Sequence, residues 1–339
     1  MSEHDTRIID APTTSDHAPS PLSRRDALTR AAAGVAAVAG AAVLTPSIQA
    51  FASAPAIHTA KPTLVIGAKG FSENEIVAYM YMLLLKQAGI SVSSTLKDGL
   101  ASVVATSALQ RGGQNGGIDI FPEYTGTAVN VILKQINIPH NPDAYLKAAV
   151  AGYQSKYKLT FLNYSPMNDA QGFATTQAIS KQYGIKSIAD MVKHASQLRL
   201  IAAAEYLDRP DGPKLLAKIY GSFKFKSEVI LADVGSARYA ALQEGRGDVT
   251  EAFTTDGLIA ANNLVVLTDP KGYALPDNLG PVVNDAALQA YPAIKTVLNN
   301  LAPYITSKAI TALNYQADGQ GKKPADVARA FLTSHGLLK

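Results

Sequence analysis

Asp119-Ile-Phe-Pro-Glu-Tyr-Thr-Gly-Thr127 is the stretch from which the fold is read. Ile118, Ile120 and Phe121 form a short apolar run that reads as a strand ending at Pro122. Ala128 to Leu133 reads as the helix that follows Thr127. A strand end followed by a helix start places Glu123 and Tyr124 at the carboxyl edge of a sheet. In open α/β sheets that edge is where ligands bind. Backbone N–H groups at the start of the following helix favour anions. Tyr124 is therefore the first candidate ligand contact, although an aromatic after a strand serves packing about as often.

Outward from this stretch, strand and helix patterns alternate. Lys61 to Gly67 reads as a buried strand. Lys69-Gly70-Phe71 makes a turn, and Ser72 with Glu75 reads as a capping box for a helix carrying Ile76, Met80, Leu83 and Leu84, ended by Gly89. Strand 91–96 and a helix with Val103, Val104, Ser107 and Ala108 on one side follow, then a flexible glycine-rich turn, 112–117. That turn lacks the Gly-Lys-Ser/Thr ending of a phosphate loop. Beyond helix 143–156 and strand Leu159 to Asn163, a second α/β pattern opens near Gly172. It runs through helices 177–183 and 187–194 (Ser187 as cap), strand 198–203, helix 212–220, strand 228–232, helix 236–245 and strand 248–252. A run from Leu264 to Pro270, a Pro/Gly region at 270–281 and a helical tail over 285–335 complete the chain. This alternation predicts α/β architecture with mostly parallel sheets.

Composition narrows the function classes. The chain has 339 residues, 47% of them hydrophobic, enough for one large or two ordinary domains. It has no Cys, which excludes a disulfide framework, a thiolate metal site and a cysteine nucleophile. The net charge of +4 is scattered without a basic run, so nucleic acid is not an expected partner. Six His are dispersed without ligand spacing, and no Gly-x-Ser-x-Gly occurs. No metal, cofactor or catalytic residue is expected, and the chain is not read as an enzyme. No apolar run of ~18 residues follows position 60, so no membrane span is expected there.

Residues 1–52 read as an address, with a polar, disordered start. Ser23-Arg24-Arg25-Asp26-Ala27-Leu28 carries a twin arginine, Ala31 to Leu44 is weakly apolar, and Ala50-Phe51-Ala52 fits a cleavage site. Together they resemble a twin-arginine (Tat) export signal removed near Ala50 to Ala54. Without a cysteine to carry a lipid anchor, a periplasmic location is favoured.

Two further polar clusters stand out. Glu205-Tyr-Leu-Asp-Arg209-Pro-Asp-Gly212 lies between a strand and a helix, and Arg209, held by Glu205, offers a planar fork to a carboxylate. The bland alternative is a solvated loop. Phe253-Thr254-Thr255-Asp256-Gly257 follows a strand, where either threonine reads most simply as a helix cap and Phe253 as core.

These pieces recur together with Ala68-Lys-Gly-Phe-Ser-Glu-Asn74, Asn263 to Pro270, Pro281-Val-Val283, Leu313-Asn314 and Val327-Ala-Arg-Ala-Phe-Leu332. Over about residues 62–338 the chain resembles the glycine betaine/choline-type substrate-binding proteins of ABC transporters for quaternary ammonium compounds. The resemblance implies a type II periplasmic binding protein: two α/β lobes joined by a two-strand hinge, closing over a ligand cleft. Lobe one would be 61–165 plus 272–339, and lobe two 166–271. It implies a monomeric receptor for a quaternary ammonium or betaine-like solute, working with a membrane permease and a separate ATPase. By motif position Tyr124 and Phe253 are cage aromatics, Arg209 with Glu205 a carboxylate clamp, and Lys69, Thr127 and Asn74 supporting polar groups. Gln171 stands where relatives carry a cage tyrosine, and Leu275-Pro-Asp-Asn-Leu-Gly-Pro281 lacks another. The altered cage leaves carnitine or ergothioneine as alternative solutes. A sensory receptor is a further alternative, and a secreted enzyme the least favoured.

Overall fold

A computed structural model describes residues 61–96, 99–135, 137–232 and 235–339. The expected export signal lies outside them. Ten strands are described: β1 Leu64–Ile66, β2 Val92–Ser94, β3 Ile120–Tyr124, β4 Leu159–Phe161, β5 Gln171–Thr175, β6 Arg199–Ala203, β7 Ser227–Leu231, β8 Val249–Phe253, β9 Val265–Val266 and β10 Leu279–Asn284. They form two five-stranded sheets, in the orders β2-β1-β3-β10-β4 and β7-β6-β8-β5-β9.

Alternation along the strands buries both faces of each sheet. In the first, Ile66, Ile120 and Val283 pack with Ile76, Met80, Leu298 and Phe331. Phe121 and Val282 face the opposite side, among Leu109, Leu133, Tyr145 and Tyr153. In the second, Phe173, Leu200 and Val249 pack on one side, and Ala174, Ile201 and Ala252 on the other. Helices therefore cover both faces of both sheets, the α/β layering expected from the alternating pattern.

Both sheets are mixed rather than mostly parallel. β10 runs antiparallel between β3 and β4, and β5 runs antiparallel to β8 and β9. β10 lies at the end of the region read only as Pro/Gly-rich. Pro122 does not end β3 but sits inside it, directly opposite Pro281 of β10. Neither proline has an N–H to donate, so the two share a position where the ladder needs none. Their carbonyls point away from each other, Pro122 O accepting from Asn74 Nδ2 (2.9 Å) and Pro281 O from Leu162 N (2.9 Å).

Other local expectations change too. Ser72 is the first residue of its helix, which runs to Gln87, and no side chain caps it; Ser72 Oγ donates instead to Asp318 Oδ1 (2.5 Å). Helix Ser102–Arg111 turns Ala105, Ala108 and Leu109 inward, leaving Val103 61% and Val104 51% exposed. The 112–117 turn is built around a short 3₁₀ segment, Gly113–Asn115, pinned where Gly113 N donates to Asp119 Oδ1 (2.9 Å). Thr127–Ile132 winds as a π-helix, with Leu133 N bonded to Ala128 O (3.0 Å). Ser187 caps helix Ile188–His194 as expected, in a capping box with Asp190.

The chain passes between the sheets twice, through 162–170 and 267–278. The two passages run alongside each other. Asp169 N donates to Asp277 O (3.0 Å), Asp277 N to Asn168 Oδ1 (2.7 Å) and Asn278 Nδ2 to Met167 O (2.7 Å).

Candidate functional site

A cavity of about 290 Å³ opens where the carboxyl ends of β1, β3, β6 and β8 converge. Lys69 and Phe71 follow β1, Tyr124 ends β3, Arg209 follows β6, and Phe253 ends β8. Parallel strands place their carboxyl ends together, so residues distant in the chain meet there. The C-terminal helices add Asn314 and Asp318 to the wall.

Tyr124 is buried, and its hydroxyl donates to Glu73 Oε1 (2.7 Å). Burial, with Glu73 and Asp169 nearby, pushes its phenol well above the ordinary tyrosine range, so it stays a donor. Its ring stacks beside Phe71, centroids 6.3 Å apart. The Lys69 ammonium stands 4.8 Å from the ring centroid and pairs with Glu123 Oε1 at 2.9 Å. The ring face is thus already presented to positive charge.

Gly126 lets the following turn close on Asp277. A Cβ there would lie 2.7 Å from Pro276 O and 2.8 Å from Asp277 Oδ1. Gly126 N (2.7 Å) and Thr127 N (3.1 Å) both donate to that carboxylate. The anion cradled at this helix start is the protein's own Asp277. Burial raises the Asp277 carboxyl to about 7, against the pull of Arg209 and Lys69.

A second carboxylate cluster lies behind Tyr124. Glu73 Oε2 accepts from Thr255 Oγ1 (2.6 Å) and Asn314 Nδ2 (2.6 Å), and Thr255 Oγ1 also lies 2.5 Å from Asp169 Oδ1. Burial raises the Glu73 carboxyl and raises that of Asp169 well above the ordinary range. Neither threonine caps the next helix, Gly257–Ala261, which starts at Asp256 without a side-chain cap bond. Thr254 Oγ1 donates to Asn168 O (2.9 Å) instead.

Arg209 is buried, but its firm partner is Asp211 rather than Glu205. Nε (2.9 Å) and Nη2 (2.7 Å) grip Asp211 bidentately, while Glu205 is 3.6 Å from Nη1. Phe253 is half-buried, with the Arg238 guanidinium 5.2 Å from its ring centroid. Of the eight residues singled out in the sequence, Tyr124, Arg209, Phe253, Lys69, Thr127 and Glu205 line the cavity. Asn74 and Gln171 do not. Asn74 is fully buried, its Oδ1 accepting from Lys69 N (2.8 Å) and its Nδ2 reaching Pro122 O. Gln171 bonds Glu251 (3.3 Å) on the adjacent strand.

Sequence reasoning missed Phe71, Glu73, Asp169, Arg238, Tyr239 and Asp277 as wall residues. Phe71 and Glu73 lie inside a motif already noted, which was signal enough to weigh them. Arg238 and Tyr239 sit in helix Ala237–Gln243, where an Arg-Tyr pair reads as a solvated face.

The family model for the substrate-binding domain of ABC-type glycine betaine transport systems matches residues 62–334. A carnitine transport binding protein of Listeria monocytogenes is 28% identical over 284 residues, covering 83% of this chain and 89% of that protein. A glycine-betaine-binding protein of Pseudomonas aeruginosa is 29% identical over 290 residues, covering 81% and 89%. A crystal structure of a glycine betaine/carnitine/choline ABC transporter is 30% identical with a TM-score of 0.67, covering 81% of this chain and all of that one. With the model matched across nearly all described residues, the chain belongs to the family of substrate-binding domains of ABC-type glycine betaine transport systems, the solute-binding receptors of ABC transporters.

Proposed function

We propose that this protein is a monomeric periplasmic receptor that captures a quaternary ammonium or betaine-like solute and delivers it to a permease driven by a separate ATPase. The Arg24-Arg25 segment would be its Tat export signal, removed near Ala50 to Ala54. Residues 61–165 plus 272–339 and residues 166–271 would be lobes that close about the paired passages at 162–170 and 267–278.

The observation that carries this reading is the character of the cavity wall. Seven carboxylates and three basic side chains line it, together with Tyr124, Phe71, Phe253 and Tyr239. A trimethylammonium group has no N–H to donate, so it is held by negative potential and aromatic faces rather than by hydrogen bonds. Tyr124 with the Glu73 carboxylate behind it supplies both, and Phe253 is the aromatic on the β8 side. Lys69, Arg209 with Glu205, and Thr127 are the polar groups on offer to the rest of the solute. Each of the two cations already holds a carboxylate of the protein, Lys69 with Glu123 and Arg209 with Asp211. Asn74 would support from behind the wall by fixing the Lys69 backbone. Gln171, at the expected position of a tyrosine, removes one aromatic face and widens the range of acceptable solutes to carnitine or ergothioneine.

Titration calorimetry against glycine betaine, proline betaine, choline, carnitine and ergothioneine tests the class. Binding of at least one is expected, and heat from none of them would reject it. Tyr124→Ala should weaken binding by about 30-fold, the scale of a desolvated cation–π contact of about 2 kcal/mol. Arg209→Ala should also weaken it. Unchanged affinity in both variants would remove the site from this cavity.

A further inference from the structure

The two sheets meet at a further point besides the paired passages. Helix Ser307–Asn314 runs on into a π-helix, Tyr315–Gly319, and Ile310, Leu313 and Ala317 fix this run in the core of the first sheet. Ser72 Oγ, bonded to Asp318, ties the π-helix to helix Ser72–Gln87 as well. Helix Gly257–Ala261 belongs to the second sheet, where Leu258 and Ile259 pack against the cluster that holds Ala174, Ile201 and Ala252. The two runs touch backbone to backbone at Gly257. A Cβ there would lie 2.6 Å from Tyr315 Cα and 2.7 Å from the carbonyl carbon of Asn314, and closer still to Tyr315 N. Carbon atoms in contact ordinarily stand about 3.5–4.0 Å apart. Gly257 has no positive φ, so its backbone conformation does not call for glycine; the neighbouring chain does.

Asn314 clasps the same junction. Its Nδ2 donates to Thr255 O (2.9 Å) on the second sheet's side and to Glu73 Oε2 (2.6 Å) on the first sheet's side, so one amide spends both hydrogens on the bridge. The Gly257 side is braced too. Asp256 Oδ2, one residue ahead, accepts from Arg238 Nη2 (2.6 Å), Tyr239 Oη (2.5 Å) and Phe253 N (2.8 Å). The Arg238 guanidinium carbon in turn stands 5.2 Å from the ring centroids of both Phe253 and Tyr239. With backbone as the obstruction and both sides held, an added methyl group is accommodated by moving the sheets apart. Thr255, Asp256 and Leu258 line the cavity from one side of this contact, Asn314 and Asp318 from the other. The contact is therefore part of the cavity wall, and a wedge in it widens the cavity.

We infer that Gly257 is a positioning residue: its missing side chain lets the second sheet seat on the Asn314–Tyr315 backbone, Asn314 holds it there, and the depth of that seat sets how narrow the solute cavity becomes. The inference rests on the reading of this cavity as a solute site. What it adds is the contact that fixes the cavity's width, not a contact to the solute.

The chain has no Cys, so spin labels go only where cysteines are introduced. Val103→Cys and Lys214→Cys place them at exposed positions near the starts of helices Ser102–Arg111 and Pro213–Tyr220, one on each sheet and off the cavity wall. The label distance is measured by electron–electron dipolar spectroscopy without solute and with saturating glycine betaine, and calorimetry gives the affinities for glycine betaine and carnitine. In Gly257→Ala the shorter of the two distances should lengthen by about 1 Å or more, the overlap that a Cβ would create. Glycine betaine should bind about tenfold more weakly or worse, with a smaller loss for the bulkier carnitine, because the narrow state is less populated. Asn314→Ala, which adds no bulk, should also lengthen that distance. Gly172→Ala, in β5 with no atom within 4 Å of the added Cβ, should match the wild type throughout. An unchanged shorter distance in Gly257→Ala overturns the inference, and so does an equal loss for the two solutes, which a wider cavity would not give. If Gly257→Ala does not fold, Asn314→Ala decides, and a distance equal to wild type rejects the seat. If neither solute binds the wild type, the quaternary ammonium reading fails, while the label distances still decide whether Gly257 sets the separation of the sheets.

Discussion

Thr255 has one hydroxyl proton and two carboxylate oxygens within reach, Glu73 Oε2 at 2.6 Å and Asp169 Oδ1 at 2.5 Å. Both contacts are hydrogen bonds only if one carboxyl brings a proton of its own. Glu73 also accepts from the Tyr124 hydroxyl and the Asn314 amide, which favour its charged form. Asp169 has fewer donors, and burial with Glu73 beside it raises its carboxyl well above the ordinary range. Asp169 therefore carries the proton and donates to Thr255, which donates to Glu73. A carboxyl raised in the folded state makes the fold lose stability as pH climbs from the unfolded value through the folded one. Asp169→Asn copies the protonated acid. It should raise the melting temperature at pH 8, and less so at pH 5. An equal effect at both pH values would show that the proton is not there. Residues of this kind were hard to read in the sequence because their role is set by what they meet across the fold. Tyr124 was legible from a strand end, whereas Arg238 was not, since nothing near it in sequence reveals that Asp256 and two rings enclose it.

At the scale of elements, the Asp119–Thr127 stretch was read correctly in kind and wrongly in detail. Its strand extends through Pro122 because Pro281 lies opposite, and a pairing between distant residues cannot be seen locally. The same pair hid β10, since a proline ordinarily argues against a central strand. Four α-helices of 171–253 were legible to within a few residues because their caps and apolar periods are local, whereas the short helix Ala204–Asp208, which carries Glu205, was not read as one. Gly126 joins strand and helix for a reason that only the fold exposes, its close approach to Pro276 and Asp277. Gly126→Ala must push that backbone away and break two N–H contacts to Asp277. It should destabilise the protein by about 1–3 kcal/mol, the range for overpacked sites. Urea unfolding measures this directly, and a midpoint equal to wild type would mean the turn is not held by Asp277.

Asp277 also links that turn to the molecule as a whole, because it belongs to the return passage between the sheets, where Asn168 and Asp169 of the outgoing passage bond it. Its carboxyl is buried at the cavity wall and raised from the ordinary 3.8 to about 7, first by burial, with Arg209 and Lys69 opposing. The sign follows from linkage. Between those two values the folded protein binds a proton that the unfolded chain releases, so stability falls as pH rises and levels off above about 7. Glu73 and Asp169 act in the same direction. Asp190, Asp248 and Asp269 act oppositely, because their carboxyls are lowered, but the stability they confer is lost only on acidification below the ordinary aspartate value. The two windows do not overlap. Acidification from pH 8 to pH 5 should therefore raise the melting temperature, with at most about 3 kcal/mol of the added stability coming from Asp277. Below about pH 4 it should fall again as the three lowered aspartates take up protons. Asp277→Asn should flatten the upper window and leave the lower one in place. A melting temperature that declines steadily from pH 8 to pH 5 in the wild type would contradict the assignment. A slope unchanged by Asp277→Asn would place its origin in the Glu73–Asp169 cluster instead. The same proton alters the charge of the cavity wall, so affinity for a cationic solute should weaken over the window in which the fold gains stability, coupling retention of solute to pH at the junction of the two sheets.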